Sequence, residues 1–164
     1  MIDKANMNDL KALDELALEV ITHMKESKIP QWEYNYPRYE HFKQDVIDDC
    51  LIIYKDQGLI VGCMALLPEN DPPYKTITSW KKNYSTVIHR VLVKPSMSKL
   101  GIAKQMLDYA INDSIENGYE SIKIDTHVDN FKMRKFLVKN GFIEGDYIES
   151  IDRIAYELIL EDLK

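Results

Sequence analysis

The apolar run from Val87 to Val93 is interrupted only by His89-Arg90. It passes through Lys94-Pro95 into the short polar stretch Ser96 to Lys99, and then into a helical pattern headed by Gly101. From Leu100 onward Ile102, Ala103, Met106, Leu107, Ala110 and Ile111 recur at helical spacing. A strand that feeds straight into a helix leaves the first helical amides without intrahelical partners. Those donors and the helix dipole suit a phosphate or diphosphate. Gly101 would admit close backbone approach, and Ala103 nearly as well. A glycine here also serves plain packing of helix on strand, so this turn alone does not decide between ligand and packing.

The rest of the chain supplies a frame. Ile2 marks a short first strand, and Asn6 or Asn8 caps a helix carrying Leu10, Leu13, Leu16, Ala17, Val20, Ile21 and Met24 on one face. Lys28-Ile29-Pro30 ends it. After the aromatic stretch Gln31 to Pro37, a second helix is expected to turn Tyr39, Phe42, Val46 and Ile47 inward. Cys50 to Tyr54 and Leu59 to Leu67 read as a hairpin around Lys55-Asp56-Gln57-Gly58. A loop with Pro68, Pro72 and Pro73 follows, with a single turn near Trp80.

The strand from Tyr84 to Val93 and the helix to Asn117-Gly118 come next. Ser121 to Thr126 alternates as a strand parallel to the one before the helix. His127 and Asp129 are expected in solvent. Asn130 opens a helix with Met133, Phe136, Leu137 and Val138 inside, closed by Asn140-Gly141. Phe142-Ile143 and Ile154 to Leu160 close the chain as strands. The order β-α-α-β-β-β-α-β-α-β-β predicts a mixed α/β (α+β) sheet of six to seven strands with helices on both faces, in one domain over residues 1–164.

Composition narrows function mainly by exclusion. The chain has 164 residues and net charge −6, from 21 basic and 27 acidic side chains, which argues against a nucleic-acid partner. Two cysteines, Cys50 and Cys63, build neither a disulfide framework nor a metal-type spacing, so no metal is expected. Cys63 lies in an apolar run and reads as a buried thiol. Without a signal-type apolar segment or a run of roughly 20 apolar residues, a cytoplasmic protein with no membrane partner is expected.

Ser98-Lys99-Leu100-Gly101-Ile102-Ala103 after an apolar strand, together with Asn130 and Phe136-Leu137-Val138-Lys139-Asn140-Gly141-Phe142, resembles the Gcn5-related N-acetyltransferase (GNAT) superfamily. The likeness covers nearly the whole chain. It departs from the family pattern at Ser98, where arginine or glutamine is usual, and at Leu137, where a tyrosine commonly protonates the departing thiolate. Trp32, Tyr36, Pro37, His89 and Arg90 are similar to a subgroup with Trp-x-x-x-Tyr-Pro and His-Arg motifs.

The resemblance implies a centrally splayed sheet and transfer of an acetyl group from acetyl-CoA to a primary amine. Ser98, Lys99, Leu100, Gly101, Ile102, Ala103 and Lys104 would cradle the diphosphate. Asn130 and the backbone of Val91, Leu92 and Val93 would hold the rest of the donor. Edge strands near the C-terminus would be the place for a homodimer contact.

Three physical needs point to further residues. The acetyl carbonyl must be polarised, the amine must be neutral, and the thiolate must be stabilised. An alkylammonium titrates near ~10, so a base is required around neutral pH. His89, within an apolar strand and aligned with a base histidine of arylalkylamine acetyltransferases, is the first candidate. Its bland alternative is a histidine bonded across the sheet.

Asp125 is the second candidate base, weighed against a salt bridge to Arg90 or Arg153. Tyr34, Tyr36 and Tyr147 are candidates for the missing phenol, Tyr36 foremost. Trp32, Tyr34 and Tyr36 form the expected acceptor wall, whose alternative is a packing cluster. The acceptor is a small-molecule or peptide amine, the acidic balance favouring a cationic one. A non-catalytic acyl-CoA-binding or sensing module is the alternative function.

Overall fold

The computed structural model describes residues 1–69 and 72–163; residues 70 and 71 of the expected proline loop, and residue 164, lie outside the described residues. The elements run β1 (Ile2–Lys4), α1 (Leu10–Glu26), α2 (Tyr39–Ile47), β2 (Leu51–Asp56), β3 (Leu59–Pro68), β4 (Ser85–Val93), α3 (Ile102–Glu116), β5 (Ser121–His127), α4 (Phe131–Lys139), β6 (Ile143–Ile148) and β7 (Arg153–Ile159). This is the expected order, in a mixed seven-stranded sheet arranged β1-β2-β3-β4-β5-β7-β6. No helix among the described residues is long and apolar enough to cross a membrane. Contacts gather the chain into two compact units. One comprises Met1–Leu66 and His89–Ala110, the other Leu67–Ile88 and Ile111–Lys164.

In the first unit, Asn6 closes a capping box with Asp9 ahead of α1. The predicted stripe Leu10, Leu13, Leu16, Ala17, Val20 and Ile21 is buried. Lys28 adopts φ +58 just past the helix and ends it. Helix α2 departs from expectation: Phe42 is buried, but Tyr39 and Ile47 face solvent, and Asp45 is buried instead. A carboxylate can occupy that inward position only if paired, and Asp45 is paired with Arg90.

The β2–β3 hairpin is antiparallel as expected. Its turn has Gln57 at φ +47 and Gly58 at φ +80, the backbone of a tight two-residue hairpin. Gly62 lies where a Cβ would sit 3.1 Å from Ile102 Cγ2 and 3.2 Å from the Leu92 carbonyl, so its lack of a side chain lets the start of α3 pack closely.

In the second unit, β4 pairs in parallel with β5 over Ser85–Val87 against Ser121–Lys123. Strand β5 pairs antiparallel with β7 along its whole length, Ser121 to His127. Tyr74, Val87, Ile148 and Ala155 form a core cluster, with Ile77 and Trp80 packed against it. A polar seam is also buried. Ser85 and Ser121 hydroxyls lie 2.7 Å apart, and Ser121 donates to Glu157, which also accepts the Lys81 and Lys82 amides. Each buried oxygen is thus paired, as burial requires. Gly118 and Gly141 close α3 and α4 with φ +79 and +88. On α4, Leu137 is buried, but Val138 faces solvent rather than the core. The helix is short, and its inward face is filled by Leu137 with Met133 and Phe136 half-buried beside it.

Candidate active site

The turn between β4 and α3 belongs to the first unit. Pro95–Met97 forms a single 3-10 turn, Gly101 takes φ +76, and the Gln105 amide makes the first helical bond, to the Gly101 carbonyl at 3.0 Å. The Ser98 and Leu100 amides are spent locally, on the Pro95 and Met97 carbonyls. No protein acceptor takes the amides of Lys99, Gly101, Ile102, Ala103 or Lys104 among the described residues. Five of the seven expected cradle residues therefore present open donors at the positive end of a 15-residue helix. A Cβ at Gly101 would meet nothing within 4 Å, so the approach to these amides is open. Side chains contribute little here: Ile102 is buried in the core and Lys104 pairs with Asp108 one turn on.

Before this turn, β4 carries His89, Val91, Leu92 and Val93. Leu92 is fully buried, while His89, Val91 and Val93 are half-buried. Between them Arg90 takes φ +53, a left-handed backbone that is costly for a bulky side chain. The alternation of a regular strand, which would put His89 on the face of Val91 and Val93, is interrupted at this residue.

The Arg90 guanidinium is held on three sides. Its Nε and Nη2 donate to Asp45 Oδ2 and Oδ1 at 2.6 and 2.5 Å, and its Nη1 donates to the Tyr36 hydroxyl at 2.9 Å. Burial opposes the charge, but the bond to Asp45 and the Tyr36 oxygen outweigh it and raise the Arg90 pKa.

The aromatic stretch divides by burial. Trp32 is buried, Tyr34 is exposed beneath the Lys25 ammonium at 4.9 Å, and Tyr36 is half-buried with its ring edge-on to His41. Of the expected wall, Trp32 is thus packed inside and only Tyr34 and Tyr36 reach the surface. The two thiols are both suppressed. Burial pushes the Cys50 thiol up to about 12 and raises that of Cys63 as well.

Asp125 and Asn130 lie in the second unit. Asp125 accepts from Arg153 Nη1 at 3.1 Å and from the Tyr74 hydroxyl, so both of its oxygens are engaged. The salt bridge weighed for it is formed, with Arg153 rather than Arg90. Asn130 is buried and caps α4 by accepting the Met133 amide at 3.2 Å. Asp129 is exposed as expected, but His127 is buried. Its Nε2 lies 3.0 Å from Asp152 Oδ2, and its Nδ1 accepts the Asp129 amide. The strand extends one residue further than the alternation suggested, and these polar partners make burial of the imidazole tolerable.

Tyr147 donates its hydroxyl hydrogen to Asp152, which lowers the Asp152 pKa and raises that of Tyr147. Two features escaped sequence reasoning. Asp45 had a signal, a charged residue three positions after Phe42 on an inward stripe. Tyr74, in the short 3-10 turn Pro72–Thr76, had none.

A model of the acetyltransferase (GNAT) family matches residues 18–142. Among curated proteins, none matches the chain. A GNAT-family acetyltransferase from Streptococcus agalactiae has a similar structure, with TM-score 0.87 and 21% identity, covering 97% of this chain and 94% of that one. An N-acetyltransferase from Staphylococcus aureus Mu50 aligns with TM-score 0.72 and 20% identity over 98% of each chain. PaiA N-acetyltransferase from Thermoplasma acidophilum, solved in complex with coenzyme A, aligns with TM-score 0.77 and 17% identity over 97% of this chain and 98% of that one.

Proposed function

The chain belongs to the acetyltransferase (GNAT) family, and we propose that it transfers the acetyl group of acetyl-CoA directly to the primary amine of a small molecule or peptide. One observation carries this reading: the open amides from Gly101 to Lys104, at a glycine with φ +76 and nothing where a Cβ would stand. An oxygen-rich dianion can approach these donors without displacing protein atoms. The missing arginine at Ser98 is tolerable, because main-chain donors need no particular side chain.

Transfer then proceeds without a covalent enzyme intermediate. A thiol raised to about 12 at Cys50, and a buried one at Cys63, supply almost no thiolate at neutral pH. The amine nitrogen attacks the thioester carbonyl carbon, whose developing oxyanion is met by a main-chain donor of Val91, Leu92 or Val93. His89 takes the amine proton, the role that the likeness to arylalkylamine acetyltransferases implies for it; Asp125 has both oxygens engaged by Arg153 and Tyr74. Tyr34 and Tyr36 offer the acceptor an aromatic surface, while Trp32 is packed inside.

The alternative, a non-catalytic acyl-CoA-binding or sensing module, is favoured by one observation. Leu137 stands buried where relatives place a phenol.

Assay of a panel of amines by free-thiol release separates the two readings. We expect amine-dependent release that falls 10-fold or more in His89→Ala and only a few-fold in Asp125→Asn. Tight acetyl-CoA binding with no release for any amine would establish the sensing module instead.

A further inference from the structure

We propose, resting on the transfer reading above, that Arg90 and Asp45 are positioning residues that hold the Tyr36 hydroxyl as hydrogen-bond donor to the departing thiolate. Three phenols were candidates, and their hydrogen bonds distinguish them. Tyr147 already gives its hydrogen to Asp152. Tyr34 lies exposed under Lys25, with no hydrogen bond to its hydroxyl among the described residues. Tyr36 alone of the three accepts from a cation, Arg90 Nη1 at 2.9 Å, and its own hydrogen has no acceptor among the described residues. A phenol oxygen with one lone pair taken by a guanidinium directs its hydrogen away from that cation.

The arrangement exceeds what charge pairing requires. Asp45 neutralises Arg90 through two bonds on one edge of the fork, leaving Nη1 for a neutral hydroxyl. The pair is almost dry, the Arg90 side chain being 14% exposed and that of Asp45 6%. Arg90 reaches both partners from a left-handed position within a strand, a conformation that persists only when surroundings enforce it. Three segments meet at this guanidinium: the aromatic loop, α2 and β4.

The chemistry balances. As the N–C bond forms and the C–S bond breaks, the electron pair goes to sulfur and the Tyr36 proton follows it. The phenolate left behind lies against Arg90, whose charge is already in place and needs no reorganisation. The proton that His89 takes from the attacking amine returns through solvent and restores the phenol.

The test compares Tyr36→Phe, Arg90→Lys and the double variant in the full chain, with the amine that gives the highest wild-type rate. We expect Tyr36→Phe to lower kcat at least 10-fold and to leave KM for acetyl-CoA within two-fold. Arg90→Lys keeps a charge but cannot span both partners. It should cost a similar factor, and the double variant no more than Tyr36→Phe alone. Wild-type kcat in Tyr36→Phe, or effects of the two substitutions that multiply, would overturn the proposal. Tyr36→Phe removes one half-exposed hydroxyl and decides the matter even if Arg90→Lys fails to fold. An inactive wild-type protein across the panel would instead sink the transfer reading on which this rests.

Discussion

At the scale of single residues, two positions make separable demands on the fold and on binding. Gly101 holds φ +76 with empty space around its missing Cβ. Gly101→Val should therefore cost stability through backbone strain of about 1 kcal/mol and also obstruct the amides. Calorimetry is expected to show acetyl-CoA affinity reduced more than 10-fold, with a melting temperature only a few degrees lower. Asp14 makes the opposite case, a purely structural carboxylate. It accepts Arg38 Nε and Nη2, each at 2.7 Å, and the Tyr39 amide at 2.8 Å, anchoring the start of α2. The bond from Arg38 lowers its pKa despite the opposing cost of burial. A carboxyl depressed on folding stabilises fully above its unfolded value near ~4 and loses that contribution as pH falls through the folded value. Urea melts of Asp14→Asn should show a deficit of about 1 kcal/mol at neutral pH that shrinks toward zero in strong acid. A deficit independent of pH would mean that the charge contributes nothing.

At the scale of elements, α1, the β2–β3 hairpin, the β4–turn–α3 unit and the β5 strand were legible, because each is written in local periodicity and turn chemistry. Gln57-Gly58, Gly118 and Gly141 all take the positive φ that their positions imply. What local patterns do not encode is which charge finds which partner across the chain. Asp45 displaces Tyr39 and Ile47 from the inward face of α2 because Arg90, 45 residues later, is there to receive it. His127 is buried because Asp152, 25 residues away, meets its ring. Asp125 is engaged by Tyr74, 51 residues earlier, and by Arg153, 28 residues later, in the same manner. The open main-chain donors from Gly101 to Lys104 were thus legible in turn chemistry, whereas the side-chain networks were not. Packing between elements is testable at Gly62. A Cβ there would press on Ile102, Met106 and the Leu92 carbonyl at 3.1 to 3.2 Å. Gly62→Val should cost about 1–3 kcal/mol, read as a lowered urea midpoint with an unchanged slope. A midpoint like that of the unaltered protein would mean that α3 can shift to make room.

At the scale of the whole molecule, the surplus of six negative charges acts over distance on whatever approaches. If the acceptor is cationic, its encounter is assisted at low ionic strength and screened by salt beyond about 10 Å at 0.1 M. KM for a polyamine should rise between low and moderate salt while KM for an uncharged amine analogue stays level; parallel responses would argue against electrostatic selection. With one thiol wholly enclosed and burial pushing the other up to about 12, neither supplies appreciable thiolate at pH 8. The folded polypeptide should therefore be inert toward disulfide dyes and maleimides. A chromogenic sulfhydryl reagent could follow coenzyme liberation continuously without background, and a cysteine grafted onto the surface would be the sole attachment point for a fluorophore or a solid support.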